Sequence, residues 1–91
     1  MNTMLEADLM RQAKFVKRIR IEETSDKRYR THITIQKEEH EQLLITQRKI
    51  PKEWASLDRL IKHINSIYEG LPVGSIPNIS ITLSHGHRSS T

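Results

Sequence analysis

Two groups of residues in this sequence have the types that chemistry uses. Glu38, Glu39, His40 and Glu41 are consecutive, and His85 and His87 stand one residue apart. Carboxylates beside an imidazole can hold a metal or act as a general base, and a histidine pair suits a transition metal. Consecutive residues of a polar loop, however, point in different directions. A metal ligand also needs a fixed surrounding shell, which a mobile tail does not supply. The first group therefore reads as a solvated loop and the second as part of a polar tail, so no metal site is assigned. The glycines, at 70, 74 and 86, come too late in the chain to form a phosphate-cradling loop ahead of a helix. No catalytic constellation and no cofactor follow, and the chain reads as non-enzymatic.

The basic residues are the stronger signal. Fifteen Lys and Arg stand against eleven Asp and Glu, a formal charge of +4. A surplus of this sign suits a nucleic acid or an acidic protein surface. Arg18, Arg20, Arg30 and His32 occupy alternate positions of two β-like runs, so one sheet face would carry them. Arg48, Lys49 and Lys52 extend the charge into a proline-marked turn. These seven residues form the candidate nucleic-acid contact. No aromatic side chain shares that face with them, which argues against the stacking platforms that single-stranded RNA or DNA recognition uses.

The elements that position them follow from periodicity. Residues 3–14 read as a helix, with Leu5, Leu9 and Ala13 on one stripe and a Thr3-x-x-Glu6 capping box. The same stripe could instead pack across a dimer interface. Residues 16–23 and 28–36 alternate as strands around a Thr24–Lys27 turn. Centring the hairpin on Asp26 pairs Ile19 with Ile33, Ile21 with Thr31 and Glu22 with Arg30; a slip of one residue would set isoleucines against arginines. Residues 42–48 divide between two readings. As a third strand they would put Leu43 and Ile45 on the face of Ile33; as a helix over 37–49 they would present only a narrow apolar side. The strand is preferred for its β-branched run. Ser56 then caps a helix carrying Leu57, Leu60, Ile61, Ile64, Ile67 and Tyr68 on one stripe, stopped near Gly70 and Pro72. Ile79, Ile81 and Leu83 alternate as a short edge strand opened by Pro77.

Two resemblances accompany this reading. The alternating run Thr31–Ile35, then Lys37–Gln47 and Ser56–Tyr68, resembles a ribbon-helix-helix DNA-binding module. That likeness implies dimerisation through the strand, with Arg30, His32 and Thr34 entering the major groove. The connection from Gln47 to Ser56 is longer than such a module has and contains Pro51. The segment Leu44–Leu60 is similar to a strand-turn-helix stretch in small, poorly characterised proteins of bacterial plasmids and mobile elements. It implies a bacterial accessory protein without an assigned activity.

Composition bounds the rest. Ninety-one residues with 35% apolar and 4% aromatic content give one small domain with a thin core, and so favour a homodimer. The absence of Cys excludes disulfides and thiolate metal sites. No apolar run approaches the ~20 residues of a membrane span, and the cytoplasm is the default location. The expected architecture is an α+β domain over residues 1–83, with residues 84–91 a disordered tail. It consists of an N-terminal helix, a three-stranded antiparallel meander, a second helix and a short C-terminal edge strand. The expected role is a small basic binding protein that contacts nucleic acid through its sheet face; the alternative is an adaptor or inhibitor that docks an acidic protein.

Overall fold

A computed structural model describes residues 2–83 of the chain. These residues form an α+β fold, with two α-helices and a five-stranded mixed sheet among them. The strands are β1 (Thr3–Leu5), β2 (Val16–Glu23), β3 (Tyr29–Ile35), β4 (Gln42–Ile45) and β5 (Asn78–Thr82). The helices are α1 (Glu6–Gln12) and α2 (Leu57–Tyr68). Across the sheet the order is β1-β4-β3-β2-β5, with β1 parallel to β4 and β5 parallel to β2. β3 is antiparallel to both of its neighbours. The expected three-stranded antiparallel meander is therefore corrected: β2, β3 and β4 are the centre of a larger sheet whose two edges are parallel additions.

This topology decides where the helices lie. β1, β4, β2 and β5 all run one way, and β3 alone runs back. β1-α1-β2 and β4-α2-β5 are both parallel crossovers, and each steps three positions in the same direction across the sheet. Crossovers of one handedness and one direction put their helices on the same face. Accordingly Leu9 and Ala13 from the α1 region and Leu60, Ile64, Ile67 and Tyr68 from α2 join Ile19, Ile21, Ile33, Met4 and Leu44 in one core.

Hairpin register agrees with the alternation argument, since Ile19 pairs with Ile33, Ile21 with Thr31 and Glu22 with Arg30. One irregularity lies at the start of β2, where the register shifts between Val16 and Arg18. Val16 and Ile19 are three residues apart, so a regular strand would point them to opposite faces. The bulge at Lys17 lets both turn inward and leaves Lys17 and Arg18 exposed.

The N-terminal expectation fails for a specific reason. Thr3 does not cap a helix; it lies in β1, opposite Leu43, and the cap position falls to Leu5 with no side-chain bond. Three residues are too few to show a strand period, and Thr-x-x-Glu imitates a cap. By contrast Ser56 does cap α2, its Oγ accepting from the Arg59 backbone N–H at 3.4 Å. Among the described residues, no helix is long and apolar enough to cross a membrane.

The phase of β4 is a second correction. His32 pairs with Leu43 and Ile33 with Gln42, so Leu44, not Leu43 or Ile45, shares the core face. Leu43 and Ile45 point to the outer face and are still only 7% and 6% exposed. In register, Leu43 lies between Thr3 and His32, while Ile45 lies between Leu5 and Pro51. A run of three apolar residues buried on both sides carries no period, so its phase cannot be read from the sequence. The strand also stops at Ile45, before Arg48.

Candidate functional site

The outer face of the sheet does bring Arg18, Arg20, Arg30 and His32 together, but it brings glutamates with them. Arg20 donates from Nε and from a terminal nitrogen to the two carboxylate oxygens of Glu41, at 2.7 and 2.8 Å. Its cross-strand partner His32 sits 2.7 Å from Glu22 and 3.9 Å from Glu41. The hydrogen bond from Arg20 pulls the Glu41 carboxyl below the usual carboxylate range against the opposing effect of burial, and Glu41 in turn raises Arg20. Arg18 carries no ion pair among the described residues; it acts on Glu41 through space.

A second cluster forms at the end where β3 begins. Ile45 and Pro51 form a bridge, and the Lys52 N–H donates to the Leu44 carbonyl at 3.0 Å. Trp54 then exchanges two backbone hydrogen bonds with Tyr29, each 2.9 Å. The 50–54 segment is thus tied both to the end of β4 and to the start of β3. Trp54 shares the core side with Tyr29, so Glu53 turns outward, where it accepts from Arg28 at 3.0 Å and from Arg30 at 2.8 Å. Arg30 is the first cause of the lowered Glu53 carboxyl. Arg30 thus meets a carboxylate and not the further arginine that a strand continued to Arg48 would have supplied, because the chain leaves the sheet after Ile45 and returns with Glu53.

The remaining expected contacts stand apart from the face. Arg48 and Lys49 lie in the exposed turn after β4, closed by bonds from the Lys49 N–H to Thr46 and from the Thr46 N–H to Ile50. Neither forms an ion pair among the described residues. Lys52 lies 3.8 Å from Glu6 and 4.9 Å above the Trp54 ring, whose centroid is 4.9 Å from that of His63. Beside this turn, Glu6, Ala7, Thr46, Gln47, Arg48 and Ile50 line a cleft of about 530 Å³. It holds one carboxylate and one guanidinium, and no nucleophile paired with a base.

Sequence reasoning missed one feature. Lys27, Lys37 and Lys49 have φ of 62°, 71° and 68°, and among the described residues they are the only ones with positive φ. Gly, Asn and Asp adopt this conformation at least cost; a lysine there bears the full Cβ clash. Composition marks these segments as turns but not which residue takes the left-handed position. β2 ends at the Lys27 turn and β4 ends at the Lys49 turn. Both strands run opposite to β3, so both turns lie at the end where β3 begins.

Glu38 and His40 approach to 3.5 Å, and no group of three or more His, Asp or Glu that could hold a metal occurs among the described residues. His85 and His87 lie outside those residues. No protein-family model, curated protein or solved structure matches the chain.

Proposed function

We propose that this chain is a non-enzymatic binding protein that holds a nucleic-acid backbone at the cationic turns on one end of its sheet, through Lys27, Arg48 and Lys49. The observation that carries this reading is the placement of Lys27 and Lys49. Both are exposed at the same end of the sheet, on turns where glycine would be cheaper by roughly 1 kcal/mol; Lys37 shares that backbone at the opposite end, so it is the position beside Arg48 that groups them. Arg48 and Lys49 are exposed and meet no carboxylate among the described residues, unlike Arg20 and Arg30. The contact therefore moves from the face of the sheet, where Glu22, Glu41 and Glu53 already answer the positive charge, to its rim.

Fluorescence anisotropy of a labelled DNA duplex at two salt concentrations tests this. Three phosphate contacts predict a log–log salt slope of about −3. Lys49→Gly with Arg48→Gln abolishes binding without lowering thermal stability, because the glycine relieves strain. Arg20→Gln leaves binding nearly unchanged. Absent or salt-insensitive binding overturns the proposal, as does equal loss with Arg20→Gln. An acidic polypeptide that displaces the duplex at equal charge concentration assigns the rim to an acidic protein partner instead.

A further inference from the structure

β5 closes the sheet at one edge, and no described residue covers its free side. All five of its residues are exposed, although Ile79 and Ile81 stand in register with the fully buried Ile19 and Ile21 of β2. The helices cover β2 and stop short of β5. Around the strand, Val73, Ile76 and Leu83 are exposed as well, and Phe15 joins them where its 3-10 turn packs on the Val73–Ser75 turn. Exposure of these six side chains runs from 39% at Ile79 to 84% at Val73. Together they present on the order of 500 Å² of apolar surface, at the upper end of what a monomer shows as a single patch. It is also about the apolar share of the ~800 Å² that each partner contributes to a stable interface.

The strand lacks every common defence of a free edge. Asn78-Ile-Ser-Ile-Thr82 contains no charge, no lysine and no internal proline, and it follows β2 in unbroken register. The pattern is also self-complementary. Read antiparallel to itself about Ser80, it sets Ile79 against Ile81 and Asn78 against Thr82, with Ser80 against its own copy.

We propose that the free edge of β5 is a homodimer interface, in which β5 of a second copy pairs antiparallel about a twofold axis at Ser80. The axis stands perpendicular to the sheet, so the two sheets join into one of ten strands with all helices on the same side. Four isoleucines, two from each copy, then lie side by side on the helix face and close the strip that each copy leaves bare. The outer face at the junction carries only Asn, Ser and Thr, so no like charges meet there. A closed twofold uses the edge in both copies and leaves none for a third.

Sedimentation equilibrium of the full chain at micromolar concentration is expected to give twice the 10.7 kDa chain mass. Ile81→Lys shifts the mass to that of a single chain, whereas Ile50→Lys, at an exposed position away from β5, leaves the dimer intact. Because Ile81→Lys could loosen β5 from its own sheet, a second measurement stands beside it. The chain has no cysteine, so Ser80→Cys introduces a lone thiol on the axis, where cross-strand Cβ atoms are ~5 Å apart. Mild oxidation of Ser80→Cys yields a covalent dimer on a non-reducing gel. Thr82→Cys, four residues from its own copy across the axis and so ~13 Å away, does not cross-link. A wild-type chain that sediments as a monomer overturns the proposal, as does a dimer in which Thr82→Cys cross-links as readily as Ser80→Cys.

Discussion

On the inner side of the sheet, Ile19, Ile21 and Ile33 are cut off from water by two helices; on the outer side of the same strands, Arg20, Arg30 and His32 are held by Glu41, Glu53 and Glu22. The inner side is non-directional: each methylene removed from water stabilises by about 0.8 kcal/mol wherever it goes. The outer side is directional and half wet. Its ion pairs are worth from a few tenths to about 1 kcal/mol each, since Coulomb gain is offset by side-chain ordering and screening. The contrast teaches that most of the stability resides on one face, while the other holds its charges in mutual pairs. The arginines of the outer face are answered by glutamates, whereas Arg48 and Lys49 on the turn after β4 pair with no carboxylate among the described residues.

The contrast is broken most severely by a cavity inside. Ile33 lies at the centre of the sheet and is fully buried. Ile33→Ala is expected to cost about 3 kcal/mol, a large share of what a chain of this size holds in total. Urea titration followed by the fluorescence of Trp54, the single tryptophan, reads it directly. A loss below about 1 kcal/mol would mean that the helices do not close over β3 as described.

Smaller, and confined to the seam between α2 and the α1 region, is the effect of Tyr68. Its hydroxyl donates to the Ala13 carbonyl at 2.8 Å, and burial pushes its pKa up to about 12. An unfolded tyrosine titrates near 10. The folded state therefore holds its proton more tightly, so this contribution is complete below pH ~10 and is lost as pH rises from there through 12. Tyr68→Phe should lower stability by about 1 kcal/mol at pH 7, with the gap to wild type narrowing above pH 10. A gap that stays constant to pH 11.5 would place the hydroxyl in water.

Different parts of this arrangement were legible in the sequence to different degrees, and the reasons are physical. The β2–β3 register and α2 could be read because each buries one face only, which writes a period of 2 or 3.6 into the chain. β1 could not, because three residues that borrow their pairing from β4 show no period of their own. Leu43, Leu44 and Ile45 showed strand character without phase, because both sides are buried. The arginines of the outer face were legible as a row, but their partners were not. Glu41 and Glu53 reach that face from loops 21 and 23 residues away from the arginines they bind, a closure that only the folded topology creates. The strained lysines carried no signal at all, since turn composition does not say which residue goes left-handed.

The outer face gives the smallest effect and the clearest sign. Glu41 and Glu53 both have carboxyl groups lowered by hydrogen bonds from arginine. A lowered folded pKa means that the unfolded chain binds protons more readily in acid. The stabilisation is therefore present above the unfolded carboxyl range near 4.3 and is lost as pH falls below it through the folded values. Replacing either residue by glutamine should cost about 0.5 kcal/mol at pH 7 in low salt, the scale of a half-exposed pair, and less in 1 M salt, where screening shortens to ~3 Å. The difference from wild type should then narrow as pH falls through the folded values, because protonation removes from the wild type what the substitution removed from the variant. Urea midpoints at pH 7 and pH 3 decide it. If the gap persists in acid, the two side chains act by shape and not by charge, and the outer face would be held by packing after all, as the inner one is.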